Sequence, residues 1–349
     1  MSKAGKYAGY GAGIGALIMV IINGIKQYQE IQVDPYKEFN WGELLQQGGK
    51  GAFFGGAIGL TAGLIKDEIT KNTKPINTDA HLDTYVEAIV LNTSSITFKE
   101  SERFCVELIA FLNDEFSSFF SADPEIRGSI DKGTAIEGKS DFDIFLRFNS
   151  DSFKIKDMYY AVYEALRTYQ DPDIIEVREQ KKSIGVLFEI GGKTVKIDVV
   201  PQRDIDSSTS NAGHLFVSST GTFTKTDVDL QDEAIKLTPV KKKLIMILKK
   251  LKDDQNIPMS SYMIQLLVEE TYNRNRGYMP KKFTDKLMLV VRFIFENIET
   301  IRLVSPENTN NIISNIADSD KSTIRNKMKE FIDEYEYHPN YILEAFPID

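Results

Sequence analysis

Two stretches near the start of the chain carry no charge. Nineteen uncharged residues lie between Lys6 and Lys26, and they include the run Gly15-Ala-Leu-Ile-Met-Val-Ile-Ile. The second stretch lies between Lys50 and Lys66 and places Gly51, Gly55, Gly59 and Gly63 at every fourth position. In a helix those glycines share one face and form a flat stripe against which another backbone can pack. Gly9/Gly13 and Gly11/Gly15 repeat the spacing. In water each glycine weakens a helix by about 1 kcal/mol relative to alanine, whereas a bilayer rewards close helix packing. The pattern therefore predicts a glycine-zipper hairpin of two membrane helices, with Trp41 at an interface in the polar stretch between them. The second stretch is short for a full span, which takes about 20 apolar residues. A water-exposed helical hairpin, or an oligomer interface built on the glycine stripes, is the competing reading. Lys3, Lys6, Lys66, Lys71 and Lys74 outside the hairpin outnumber Lys26, Lys37 and Lys50 in its loop. That bias places both ends, and the rest of the chain, in the cytoplasm. A purely cytoplasmic protein is the alternative.

The pattern changes after the polar segment Lys66–Asn77, which contains Pro75. Phe104, Leu108 and Phe111 recur at helical spacing in a helix expected over Lys99–Phe119. Asp141–Phe148 alternates and is rich in β-formers, so it predicts a strand. Ile184–Ile190, the turn Gly191-Gly192-Lys193 and Thr194–Val200 predict a hairpin. A lysine-flanked helix is expected over Lys241–Lys252, with Lys241 facing solvent, and Ser260-Ser261-Tyr262 opens another over Met263–Glu270. Strands and helices follow one another without a repeat, and the expected class is α+β.

Composition narrows the chemistry. Hydrophobic and charged fractions of 42% and 27% are those of a globular protein. Cys105 is the single cysteine, set in an apolar helical run, which excludes an internal disulfide and a cysteine metal cluster. His81, His214 and His338 lie too far apart for a spaced zinc motif. Net charge of −9 and a pI near 5.1 argue against a stable complex with long nucleic acid, which demands a basic surface.

One segment concentrates chemistry-bearing residues: Gly128-Ser129, Gly133-Thr134 and Ser140-Asp141-Phe142-Asp143. Period two puts Asp141 and Asp143 on one strand face and turns Phe142 and Ile144 to the core. Carboxylates so close repel unless cations sit between them, so the pair suits Mg²⁺ or Mn²⁺. Asp198 stands in the apolar strand Val195-Lys-Ile-Asp-Val-Val-Pro201, sharing a face with Lys196, and is costly to bury without a charged partner. A bound metal would supply one. Gly128 and Ser129 offer a backbone that a ligand can approach and a hydroxyl beside it, a cradle for phosphates. An acid-x-acid pair alone usually marks a solvated strand edge, and a lysine-rich helix a solvated face. The spaced set is what carries the reading.

That set, Gly128 through Leu146, resembles the signature of polymerase-β-type nucleotidyltransferases. It is closest to the branch of cyclic GMP-AMP synthase-like enzymes, 2′-5′-oligoadenylate synthetases and class I CCA-adding enzymes. The resemblance covers about Leu82 to the C-terminus. It implies a nucleotidyltransferase lobe of mixed sheet and helices over residues 76–205, then a mostly helical nucleotide-binding lobe over 206–349. Residues 1–75, hairpin and linker, fall outside it. It further implies that Asp141, Asp143 and Asp198 are catalytic and hold two Mg²⁺ or Mn²⁺ ions. By the same resemblance Gly128, Ser129, Lys249 and Ser261 would hold a triphosphate, and Tyr262 would stack on a base. Pro306-Glu-Asn-Thr-Asn-Asn311 is similar to a family loop that starts with aspartate, but Ser305 stands in that place, and no role is carried onto it. The function implied is synthesis from NTPs of a short linear or cyclic oligonucleotide signal, read by a downstream effector, in antiviral defence. Transfer to an RNA end, or to a protein or small-molecule hydroxyl, is the alternative. A nucleotide sensor without turnover is a third reading, which the three intact acids disfavour.

Overall fold

The computed structural model describes residues 77–139, 141–206 and 211–348. The glycine-rich hairpin expected over residues 1–75 lies outside them. Helix α1 (Thr78–Ile89) starts at Asn77, whose side-chain oxygen accepts from the Ala80 amide at 3.2 Å. Helix α2 (Ile96–Phe116) is capped by Ser95, whose hydroxyl accepts from the Phe98 amide at 3.1 Å. It begins three residues before the helix expected at Lys99 and gives way to a 3-10 turn over Ser117–Phe119.

The strands that follow are β1 (Phe120–Arg127), β2 (Phe142–Phe148), β3 (Ile174–Glu179), β4 (Ile184–Ile190) and β5 (Lys193–Asp204). Helix α3 (Ile155–Thr168) connects β2 to β3. The strand order is β1-β2-β5-β4-β3. β6 (Gly213–Val217) extends it from the far end of β5, and β7 (Thr222–Thr226) pairs with β6. β2 and β5 run parallel, and the other pairs are antiparallel. Gly191 and Gly192, with φ of 56° and 77°, make the tight turn between β4 and β5. Alternation holds as expected: Phe142, Ile144, Leu146 and Phe148 are buried along β2, and Ile197 and Val199 along β5. They pack with Phe104 and Leu108 of α2 and Tyr159 and Val162 of α3 into one core.

A second core is helical. It is built by α5 (Pro239–Asp254), α6 (Ser261–Arg274), α7 (Phe283–Asn297) and α8 (Asp318–Tyr337). Short α4 (Val228–Ala234) leads into this part, and the hairpin β8 (Val304–Ser305) and β9 (Asn308–Ile312) and helix α9 (Tyr341–Ala345) complete it. Helix α1, although it precedes the sheet in sequence, adds Leu82, Tyr85, Val86 and Ile89 to this helical core. Its Asp79 accepts from the amides of Phe283 and Thr284 at the start of α7. The architecture is α+β, as the pattern of elements predicts.

Two expectations need correction. Among the described residues no helix is long and apolar enough to cross a membrane. Even α7 has only 15 residues and carries Asp285, Lys286, Arg292 and Glu296, while its apolar face is spent on the core. The expected membrane location is overturned on that finding. Lys241 does not face solvent. It lies on the buried stripe of α5 with Leu244, Ile245 and Leu248, and it is 6% exposed. Its ammonium donates to Glu269 of α6 at 2.5 Å and sits 4.9 Å from the centre of the Tyr272 ring.

Lys241→Ala is therefore expected to leave the mostly covered Glu269 without its partner and to lower stability by up to about 3 kcal/mol. Lys243→Ala removes a half-exposed pair with Asp83 and is expected to cost less than about 1 kcal/mol. Urea unfolding of the two variants compares them directly.

Candidate active site

Strand registers bring three distant points of the chain together. Arg127, the last residue of β1, pairs with Asp143, and Asp143 pairs with Asp198 across the parallel β2–β5 contact. Gly128 follows Arg127 at once, so the turn after β1 opens beside Asp143. Its φ is 86°, and a Cβ built there would stand 2.0 Å from Asp143 Oδ2. Backbone angle and carboxylate contact each require glycine. The Lys132 and Thr134 amides close the turn by donating to the Gly128 and Ser129 carbonyls at 3.1 and 2.9 Å.

Phe142 pairs with Ile197, so Lys196 comes beside Asp141 just as Asp198 comes beside Asp143. The Lys196 ammonium donates to Asp141 Oδ2 at 2.8 Å and to Asp198 Oδ2 at 2.9 Å. The charged partner that Asp198 needs is thus supplied by the protein. Burial pushes the Asp143 carboxyl up to about 7, with Asp198 and Asp141 adding to the rise. Burial also raises Asp198, against the pull of Lys196. Burial draws the Lys196 ammonium down, and its hydrogen bonds to Asp141 and Asp198 more than offset this. Among the described residues no three acidic, histidine or cysteine side chains are gathered as a formed metal site. The residues still fit a divalent cation. Their donors are hard carboxylate oxygens, one cationic group already bridges two of them, and Asp143 is left with like charge.

A cavity of about 410 Å³ opens over this cluster, lined by Gly128, Ser129, Asp141 and Asp143 from the sheet side and Lys249, Ser261 and Tyr262 from the helices. The Lys249 ammonium donates to the Thr134 carbonyl at 2.8 Å, which ties α5 to the glycine turn. Burial, aided by Lys252, lowers its pKa to about 8. Ser261 and Tyr262 open α6 behind Ser260, whose hydroxyl accepts from the Met263 amide. Tyr262 donates to Ser305 Oγ at 3.3 Å, and Ser305 donates to Glu307 Oε1 at 2.6 Å, which fixes the ring in the cavity wall.

Solved proteins share this architecture. Bradyrhizobium diazoefficiens CD-NTase CdnG, solved in complex with GTP, superposes with a TM-score of 0.63 at 12% identity over 78% of this chain and 96% of its own. E. coli MS115-1 CdnC with ATP gives 0.58 at 15% over 77% and 96%. Elizabethkingia meningoseptica CdnE cyclic dinucleotide synthase, with GTP and Apcpp, gives 0.53 at 17% over 74% and 98%. The fold is that of the polymerase-β-type nucleotidyltransferases. No family model matches the chain, and no curated protein matches it in sequence.

Of the residues expected from the sequence, the cavity gathers all but Asp198 in its lining, and Asp198 stands next to Asp143 in register. Others were missed. Lys132, Lys139, Lys252, Gln231 and Gln265 also line the cavity. Lys252 lies one turn beyond Lys249, a signal that was there to use. Gln231 comes from α4 and is held by Glu307, to which its amide donates at 2.5 Å. Gln180 carried no signal at all. Its amide donates to Asp198 Oδ1 at 2.8 Å from the turn between β3 and β4. Tyr159 and Ser218 fix that turn by donating to the Gln180 carbonyl at 3.0 and 2.8 Å. Gly185 pairs with Asp198, and a Cβ on it would stand 2.2 Å from Gln180 Nε2, so the glycine lets the amide cross the strand.

Gln180→Ala is expected to lower turnover by about 10- to 100-fold, as loss of an orienting neighbour does at metal sites. Gly185→Ala should act through the same contact, so the double variant should be no worse than Gln180→Ala alone. A second expectation concerns pH. Asp143 has a raised pKa, so its ionisation costs folded-state stability. The cost is absent below the ordinary value of 3.8, grows as pH rises, and is complete above about 7. In chelator, Asp143→Asn should be more stable than wild type at pH 8, and the gap should shrink towards pH 5. Urea unfolding at both pH values measures it.

Proposed function

We propose that the chain is a metal-dependent nucleotidyltransferase that joins NTPs into a short linear or cyclic oligonucleotide. The observation that carries this reading is that one cavity meets Asp141 and Asp143 on one wall and Lys249, Ser261 and Tyr262 on the other. Likeness of fold to proteins solved with ATP or GTP supports NTPs as substrates, and the CdnE cyclic dinucleotide synthase supports a short product.

In the reaction a ribose hydroxyl attacks the α-phosphorus of an NTP, and the bond to pyrophosphate breaks. Divalent cations held by Asp141, Asp143 and Asp198 would supply Lewis-acid charge at the attacking oxygen and at the departing pyrophosphate. The chain's own residues do the rest. Lys132, Lys249 and Lys252 line the cavity as cations for triphosphate oxygens. Gly128 and Ser129 let the backbone approach those oxygens, and Ser261 adds a hydroxyl at the start of a 14-residue helix, where amides favour anions. Tyr262, anchored through Ser305, offers an aromatic face to a base. Gln180 holds Asp198 in place beside Asp143. Holding both reactants in this way converts an encounter in solution into an oriented displacement.

The test is to incubate the full-length chain with the four NTPs and Mg²⁺ or Mn²⁺ and to resolve the products by chromatography. Pyrophosphate with a small oligonucleotide is expected. Extension of added RNA would replace the reading with terminal transfer, and binding without turnover with a sensor. Asp143→Ala should abolish turnover with the fold intact. Lys249→Ala should raise KM for NTP more than it lowers kcat, whereas Lys243→Ala, away from the cavity, should do neither. Equal and small effects from both lysines would leave α5 a purely structural role.

A further inference from the structure

The four charges on the shared face of β2 and β5 form a two-by-two array. Asp141 lies beside Lys196 on one level, and Asp143 lies beside Asp198 on the next. The Lys196 ammonium spans the array, within 2.9 Å of Asp141 and Asp198 alike. Both Asp198 oxygens already accept from protein groups, Oδ2 from Lys196 and Oδ1 from Gln180. A divalent cation shared by Asp141 and Asp198 would compete with the ammonium for the space between their Oδ2 atoms, and two cations there would repel each other.

We propose that Lys196 is a built-in counter-ion of the acid cluster, which holds Asp141 and Asp198 together before metal binds and withdraws when a divalent cation enters. The inference rests on the functional reading above, because it concerns the same carboxylates. Two further observations support it. The Lys196 side chain is a quarter exposed and Asp141 is 43% exposed, so neither partner is locked in by packing. A second cavity, of about 310 Å³, shares Asp141 and Lys139 with the first and is lined also by Lys196, Lys193 and Phe98. The ammonium can therefore turn away from the cluster along its four-carbon stem without displacing the core. On this view the metal-free protein is spared the mutual repulsion of three carboxylates, and free metal binds weakly. Metal that arrives on an NTP brings the triphosphate contacts that offset the exchange.

The test separates competition from support. Mn²⁺ binding to the full-length protein is measured by electron paramagnetic resonance without nucleotide, for wild type, Lys196→Met and Lys196→Arg. A competing ammonium predicts tighter Mn²⁺ binding by Lys196→Met, by about the 10-fold or more that neighbours of metal ligands command. Lys196→Arg, which keeps the charge, should stay near wild type. If Lys196 instead supports the ligands, Lys196→Met should bind Mn²⁺ about 10- to 100-fold more weakly. Weaker or unchanged binding overturns the proposal. Thermal unfolding gives the second readout: Lys196→Met should melt lower than wild type in chelator and gain more from Mn²⁺. Should it not fold in chelator, refolding on Mn²⁺ addition is the same result in a stronger form, and Lys196→Gln serves for the titration. Neither readout uses turnover. A chain that turns over NTPs with Mn²⁺ affinity unaltered by Lys196→Met would sink this inference alone, and the converse would sink the proposed function alone.

Discussion

The crowding of three carboxylates on one face of two parallel strands is the constraint from which the rest of the site follows. Asp143 and Asp198 are direct neighbours in register, and Asp141 lies one pleat away. Such a cluster is unfavourable by itself, as the upward push on Asp143 and Asp198 shows. It is held because the opposite face of the same strands is fixed. Phe142, Ile144, Ile197 and Val199 are buried there, and a slip of one residue would turn them out to solvent. The apolar core thus determines where the acids stand.

Once the acids are placed, their neighbours have little freedom. Gly128 must lack a side chain because Asp143 fills the space, and Gly185 must lack one because Gln180 crosses it to reach Asp198. Lys196 offsets part of the charge from within the same strand. Arg127 pairs with Glu125 and Asp229, and Lys132 pairs with Asp232. Those ion pairs tie α4 to the glycine turn and bring Gln231 to the cavity with it. The two cores then face each other across the cleft. The sheet side presents acids, and the helical side presents Lys249, Ser261 and Tyr262, with the bond from Lys249 to the Thr134 carbonyl as a direct strut between them. Chemistry that needs both a charged phosphate chain and a reacting hydroxyl held in place is suited by this division.

Local pattern was enough for a good part of this. Period-two alternation gave β2 and β5 and put Asp141, Asp143 and Asp198 on the open face, because a strand has only two faces and apolar residues claim one. The Gly191-Gly192 turn and the α5 and α6 helices were legible for the same reason: each is set by residues within a few positions of one another. Lys241 was misplaced, since a lysine-rich helix reads as solvated until its partner is known. That partner, Glu269, lies on the next helix. The membrane reading drew on glycine spacing in residues 1–75 and found no counterpart in any described helix.

What the sequence by itself determined was the identity and the facing of the acids, and with them the resemblance in fold. Only the tertiary structure decided which groups balance those charges. Lys196 lies two residues from Asp198, yet its contact with Asp141 depends on the parallel register of segments 55 residues apart, and Gln180 reaches Asp198 only because β4 pairs with β5 and Gly185 leaves a gap. Periodicity along one strand fixes the face on which a side chain stands. The neighbour across that face is set by pairing and packing between distant segments, and no local pattern records it.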